Sequence, residues 1–139
     1  LKLITMKIKT ILILASVIIF ISSFTLISKV EEWKVPAAAS KVKNPTDPKD
    51  AEGIAAGKAL YAKHCKSCHG TKGLGDGTKA AEIETPMPDF SKATVQGQTD
   101  GDLFYKTKTG RDDMPGFGKK ITDDEEIWLL VNFMRGLKK

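Results

Sequence analysis

Residues 57–70 read Gly57-Lys58-Ala59-Leu60-Tyr61-Ala62-Lys63-His64-Cys65-Lys66-Ser67-Cys68-His69-Gly70. Cys65 and Cys68 are the only 2 cysteines of the 139-residue chain, and His64 and His69 its only 2 histidines. Two cysteines cannot build a disulfide-rich scaffold, and two histidines cannot build a multi-histidine metal site. Upstream, Asp50 is placed to cap a helix that runs to about His64, with Ile54, Gly57 and Tyr61 on one face and Leu60 alongside. Glycine inside a helix costs about 1 kcal/mol against alanine. Gly57 therefore implies that something packs very close there.

Further along, Asp100 to Thr109 is a short helical candidate, with Thr99 or Asp100 as its cap and Gly110 as its stop. The last helix is the clearest. Thr122 and Glu125 have capping-box spacing, and Ile127, Leu130, Val131 and Met134 recur at i, i+3, i+4 and i+7. Acidic residues crowd its start, and Arg135, Lys138 and Lys139 its end, as the helix dipole favours. Strand patterns are absent, and Gly70–Gly77 and Thr85–Asp89 have loop composition. The expected class is all-α. Three or four short helices with long loops enclose little core, so such a domain needs a covalent or metal staple.

Cys65-Lys66-Ser67-Cys68-His69 supplies one, because Cys-x-x-Cys-His is the attachment signature of a c-type haem. Thiols at i and i+3 share one helix face and can add to the two vinyl groups on one porphyrin edge. The adjacent imidazole is then aimed at the iron. Other uses of these residues suit the chain less well. A thioredoxin-like pair wants a βαβ setting. Zinc needs four ligands, and His64, Cys65, Cys68 and His69 crowd together with no second half. Two structural free cysteines would leave the domain without its staple.

The iron's sixth position is open or filled by a side chain. His64 is tied to the proximal edge by Cys65, and Met134 reads as core. Met87 and Met114 remain, each followed by proline in a loop. Met114 lies 45 residues past His69, enough chain to wrap the haem edge, whereas Met87 lies only 18 past it. Met114 is the assigned ligand, with Met87 and an open site as the alternatives.

These residues together resemble the class I, mono-haem cytochromes c over roughly Ala51 to Leu137. Gly57–Tyr61 ahead of the haem motif is similar to the family's first helix, and Trp128–Arg135 to its last. The resemblance implies that Gly57 lets the two helices cross, with Phe133 as the aromatic partner. Gly110–Phe117 is similar to its methionine loop. The implied fold is a small cytochrome c fold of three to four helices around one covalent haem c and its iron. The haem-binding residues are then Cys65, Cys68, His69 and Met114, and the iron ligands His69 and Met114. The resemblance also implies that Pro86 or Pro88 offers a carbonyl to the second ring nitrogen of His69.

Ahead of this domain, Thr10 to Ser28 is 19 residues without a charge, preceded by Lys2, Lys7 and Lys9. That is the layout of a secretory signal or of a membrane anchor, and both place the rest of the chain in the periplasm or outside the cytoplasm. Met6 reads as a plausible true start, with Leu1–Thr5 as upstream readthrough or an alternative start. The expected organisation is residues 1–28 as signal peptide or anchor, 29–50 as a Pro/Ala/Lys linker and 51–139 as the cytochrome domain. Within the linker, Trp33 reads as an interfacial tryptophan, with a peg that docks on the domain or on a partner as the alternative.

The formal charge is +5, but from Ala37 onward 17 basic residues face 15 acidic ones. Nucleic-acid binding, which needs a concentrated basic face, is not expected. Gly73–Gly77 reads as a surface loop, since a phosphate loop wants a preceding strand. Lys66, Lys72, Lys119 and Lys120 could ring an exposed haem edge or simply be solvated. The expected function is one-electron transfer in a respiratory or related redox chain, without enzymatic activity. The expected partners are a donor complex and an acceptor such as a terminal oxidase, and the expected state is a monomer. Two readings stand beside it: a haem-based gas sensor or peroxidase-like enzyme with a labile methionine, and a tethered subunit of an oxidase or dehydrogenase complex.

Overall fold

The computed structural model describes residues 32–138. They form α1 (Ala37–Ser40), α2 (Ala51–His64), α3 (Lys66–His69), α4 (Ala93–Gln96), α5 (Asp100–Thr109) and α6 (Asp124–Arg135), with a 3₁₀ turn at Ala80–Glu82. No strand occurs among the described residues; the one bridge joins Arg111 and Met114. The all-α expectation holds. The run 10–28 lies outside the described residues, and no described helix is long and apolar enough to cross a membrane.

Local signals account for the three longer helices. The Asp50 carboxylate accepts from the backbone N–H groups of Glu52 and Gly53, each at 3.1 Å, and starts α2. Thr99 and Asp102 form a reciprocal capping box on α5, which Gly110 ends at φ +70°. At α6 the structure corrects the sequence reading. Asp123, not Thr122, is the cap, and its carboxylate accepts from Glu125 N–H at 2.9 Å. Asp123 takes the extended backbone that a cap requires (ψ 118°), which moves the helix start one residue on.

α2 and α6 cross where the sequence places a glycine. A Cβ on Gly57 would lie 2.2 Å from the backbone oxygen of Leu129. The Tyr61 and Phe133 rings meet beside the crossing, centroids 5.1 Å apart. Leu130, Val131 and Met134 are buried behind it, and Phe104 stacks on Trp128 at 4.0 Å. A second cluster of Phe117, Ile121 and Ile127 closes the base of the loop between α5 and α6.

The segment expected to be a linker is not one from Trp33 onward: residues from Trp33 belong to the same compact unit as the helices. It is a strap, and polar caps hold it. Thr99 Oγ1 donates to Ser40 O at 2.9 Å, and Ser40 Oγ donates to Asp102 Oδ1. Asn132, buried on α6, accepts from Asn44 Nδ2 at 2.7 Å and donates to Thr46 Oγ1 at 2.9 Å. Gly101 leaves room for α1, since a Cβ there would lie 2.2 Å from Ala39 O. Trp33 is half-buried against the domain rather than free to sit at an interface, with Arg111 Cζ 5.0 Å and Lys106 Nζ 5.5 Å from its ring centroid. These cations give the ring a partner on the domain itself.

Candidate haem-binding site

α2 hands over to the motif at Cys65, whose backbone N–H donates to Tyr61 O at 2.9 Å. One further turn, α3, carries Cys68 and His69. Their N–H groups both donate to Cys65 O, at 3.2 and 2.9 Å. The glycine-rich stretch then folds back over that turn. Lys79 N–H bonds Ser67 O at 2.8 Å, Gly77 N–H bonds Cys68 O at 3.2 Å and Gly75 N–H bonds His69 O at 2.9 Å. The loop therefore takes up the carbonyls that the short helix leaves open at its end. Two glycines permit this closeness: Gly70 sits at φ +82°, and a Cβ on Gly77 would lie 2.3 Å from Ser67 O. Gly73–Gly77 is thus a clasp on the motif rather than an independent surface loop.

His69 is 6% exposed, its ring 4.6 Å from that of Phe90. Burial lowers its pKa to about 4, so the imidazole is neutral at physiological pH and keeps a lone pair to offer. Nδ1 is buried and has no hydrogen-bond partner. The carbonyl expected from Pro86 or Pro88 is therefore not met at Nδ1. Other contacts take that segment: Met87 packs on Gly75, and Thr85 Oγ1 donates to Asp113 Oδ2 at 3.0 Å. Behind the motif, Tyr61 O–H donates to Gly70 O at 2.7 Å. Burial first, then the neighbouring Cys65 and Asp76, hold that phenol protonated well above its ordinary range.

Cys65 is buried, Cys68 half-buried, and both thiols are free. Burial, and then the neighbouring Cys68, push the Cys65 thiol up to about 12. Among the described residues no group of three or more His, Cys, Asp and Glu is placed to hold a metal ion. The zinc alternative for His64, Cys65, Cys68 and His69 thus has no support. Two free thiols one turn apart, next to a buried neutral imidazole with an unpartnered ring nitrogen, do fit a covalently held haem.

Met87 and Met114 lie on two loops that meet where Thr85 Oγ1 donates to Asp113 Oδ2. Met87 is half-buried against Gly75, on the clasp that follows His69. Met114 is half-buried in the loop between α5 and α6, where Arg111 and Met114 exchange both backbone hydrogen bonds, at 2.8 and 2.9 Å. Asp112, at the tip of this two-residue turn, takes φ +50°. Phe117 N–H anchors the far side of the loop to Thr107 O at 3.0 Å. Phe117 also packs on His64, ring centroids 5.7 Å apart, which brings the Met114 loop to the end of α2. Sequence reasoning missed Arg111 and offered the docking of Trp33 on the domain only as an alternative. Arg111 carries no motif, and its partner Trp33 lies 78 positions away in a stretch without apolar period.

A family profile described as cytochrome C oxidase, cbb3-type, subunit III matches residues 52–134. The chain belongs to this family. It is a class I c-type cytochrome with a covalently bound c-type haem. Among solved structures, the cytochrome resembles a chain of the Kuenenia stuttgartiensis reducing HAO-like protein complex, with 30% identity and a TM-score of 0.60. The match covers 79% of this chain and 53% of that one, so the cytochrome spans about half the length of the relative. No curated protein matches the chain.

Proposed function

We propose that the chain is a one-electron carrier whose haem is fixed by thioether bonds to Cys65 and Cys68, with His69 and Met114 as the two iron ligands. The haem supplies the ferric–ferrous couple. Burial holds His69 neutral, and the clasp from Gly75, Gly77 and Lys79 holds the backbone of its turn. It pins the Met114 loop at Arg111 and at Phe117. A soft thioether opposite an imidazole favours the ferrous state and raises the potential. The observation that carries the Met114 assignment is the pinning of its loop, at Arg111 and at Phe117. Met87 packs on the clasp that follows His69.

The test is a pair of variants in the haem-loaded protein. Met114→Ala should abolish the far-red methionine-to-ferric-iron band and lower the potential, and Met87→Ala should do neither. If Met87→Ala is the change that abolishes the band, the assignment is wrong.

A second feature of this reading is tethering to a redox assembly on the periplasmic side, with the 10–28 run as anchor. It is supported by the family's description as an oxidase subunit and by a neighbour that is part of a protein complex. The mature N-terminus, read by mass spectrometry, tests it: retention of residues 10–28 supports an anchored subunit, and their removal a soluble carrier. A donor complex and an acceptor such as a terminal oxidase are the partners this role implies.

A further inference from the structure

We propose that Trp33 is a positioning residue for the loop that carries Met114, acting through Arg111. This rests on the assignment of Met114 as an iron ligand. The path is two contacts long. Arg111 Cζ stands 5.0 Å from the Trp33 ring centroid. The Arg111 main chain exchanges both backbone hydrogen bonds with Met114. The guanidinium also pairs with Asp112 at 3.0 Å, so its charge bears on the turn from both ends: the indole outside and the strained tip inside. Lys106, at 5.5 Å, brings a second cation to the same indole from the last turn of α5, ahead of the loop.

Trp33 can act as a buttress only if it is itself held, and the strap provides that. Four residues on, α1 begins. It is fixed to α5 by the bond from Thr99 to Ser40 O and by the bond from Ser40 to Asp102. The strap is tied again to α6 through Asn44 and Asn132. An indole delivered by an anchored strap loses little freedom on docking, so its cation–π contact is not cancelled by ordering. The loop needs such support. Its turn has a non-glycine residue at positive φ, and its two backbone bonds sit on an open two-residue hairpin.

The experiment uses the full haem-loaded chain and two readouts. One is the rate at which added imidazole displaces methionine from ferric iron. The other is hydrogen exchange at the Met114 amide, which donates to Arg111 O. Trp33→Ala should accelerate both by about three- to tenfold, the range that one cation–π contact supports. Trp33→Phe, which keeps a ring, should restore most of the difference. Asp50→Ala removes a helix cap far along the chain and should lower global stability without the same acceleration. The proposal is overturned if Trp33→Ala changes neither rate, or if Asp50→Ala matches its effect. If Met114→Ala retains the far-red band, the ligand assignment fails instead, and the Met114 amide still reports whether Trp33 steadies the loop.

Discussion

Gly57 on α2 and Leu129 on α6 touch backbone to backbone: a methyl on Gly57 would stand 2.2 Å from the Leu129 carbonyl oxygen and 2.7 Å from its carbon. A contact this close can be relieved only by moving a whole helix. The crossing thus sets the distance between the helix that leads into the haem motif and the helix that carries Ile127, Leu130 and Val131 of the core.

Gly57→Ala should therefore destabilise the protein even though alanine is the better helix former. The gain in propensity is about 1 kcal/mol, whereas forcing an extra methyl into packed backbone costs about 1–3 kcal/mol or more. Denaturant unfolding of the haem-loaded protein checks the sign. A variant as stable as the wild type would show that the helices can part at no cost.

Asn132 is the polar pin between α6 and the strap. Asn132→Ala leaves Asn44 Nδ2 without its acceptor and Thr46 Oγ1 without its donor. The expected loss is about 1–3 kcal/mol, together with faster proteolysis between Lys41 and Pro48. A change within about 0.5 kcal/mol, the range of ordinary surface substitutions, would mean that the strap adds nothing to the fold.

Asp102 predicts how the strap responds to acid. Burial raises its pKa, but the bonds from the Ser40 hydroxyl and from Thr99, with the Lys106 charge, outweigh that and leave it below the ordinary carboxylate value. A carboxylate with a lowered folded pKa contributes stability that is present above its unfolded pKa of about 3.9 and is lost as pH falls through the folded value. The stability difference between wild type and Asp102→Asn should be largest near neutral pH and shrink below about pH 4. Unfolding curves at pH 7 and pH 3 measure it, and a difference independent of pH would contradict the assignment.

How much was legible in the sequence depended on how local each signal is. Asp50, Gly57 and the Ile127–Met134 period act within a turn or two and predict α2, α6 and a close contact at Gly57; that α6 makes the contact was implied by the family resemblance. The cap of α6 was misplaced by one residue because Thr122 and Asp123 are both good caps, and only the backbone torsions choose between them. α1 and α4 are single turns, too short to show a period. The strap was misread for a related reason. It docks through hydroxyls, amides and one indole whose partners lie 59–88 positions away, so its own composition resembles that of a tether. At the site, Cys65, Cys68 and His69 were legible because the chemistry demands their spacing. The backbone clasp by Gly75, Gly77 and Lys79 was not, because main-chain bonds leave little trace in side-chain identity.

The central claim is a closed, six-coordinate electron carrier, and carbon monoxide tests it most directly. Added to the reduced wild-type protein near neutral pH, the gas should leave the absorption spectrum unchanged, because the proposed ligand Met114, on a loop pinned at Arg111 and Phe117, would hold the iron's sixth position. The same addition to Met114→Ala should give a carbonyl spectrum at once. Prompt and complete carbon monoxide binding by the wild type would contradict the account and point to a gas-binding or peroxidase-like haem instead.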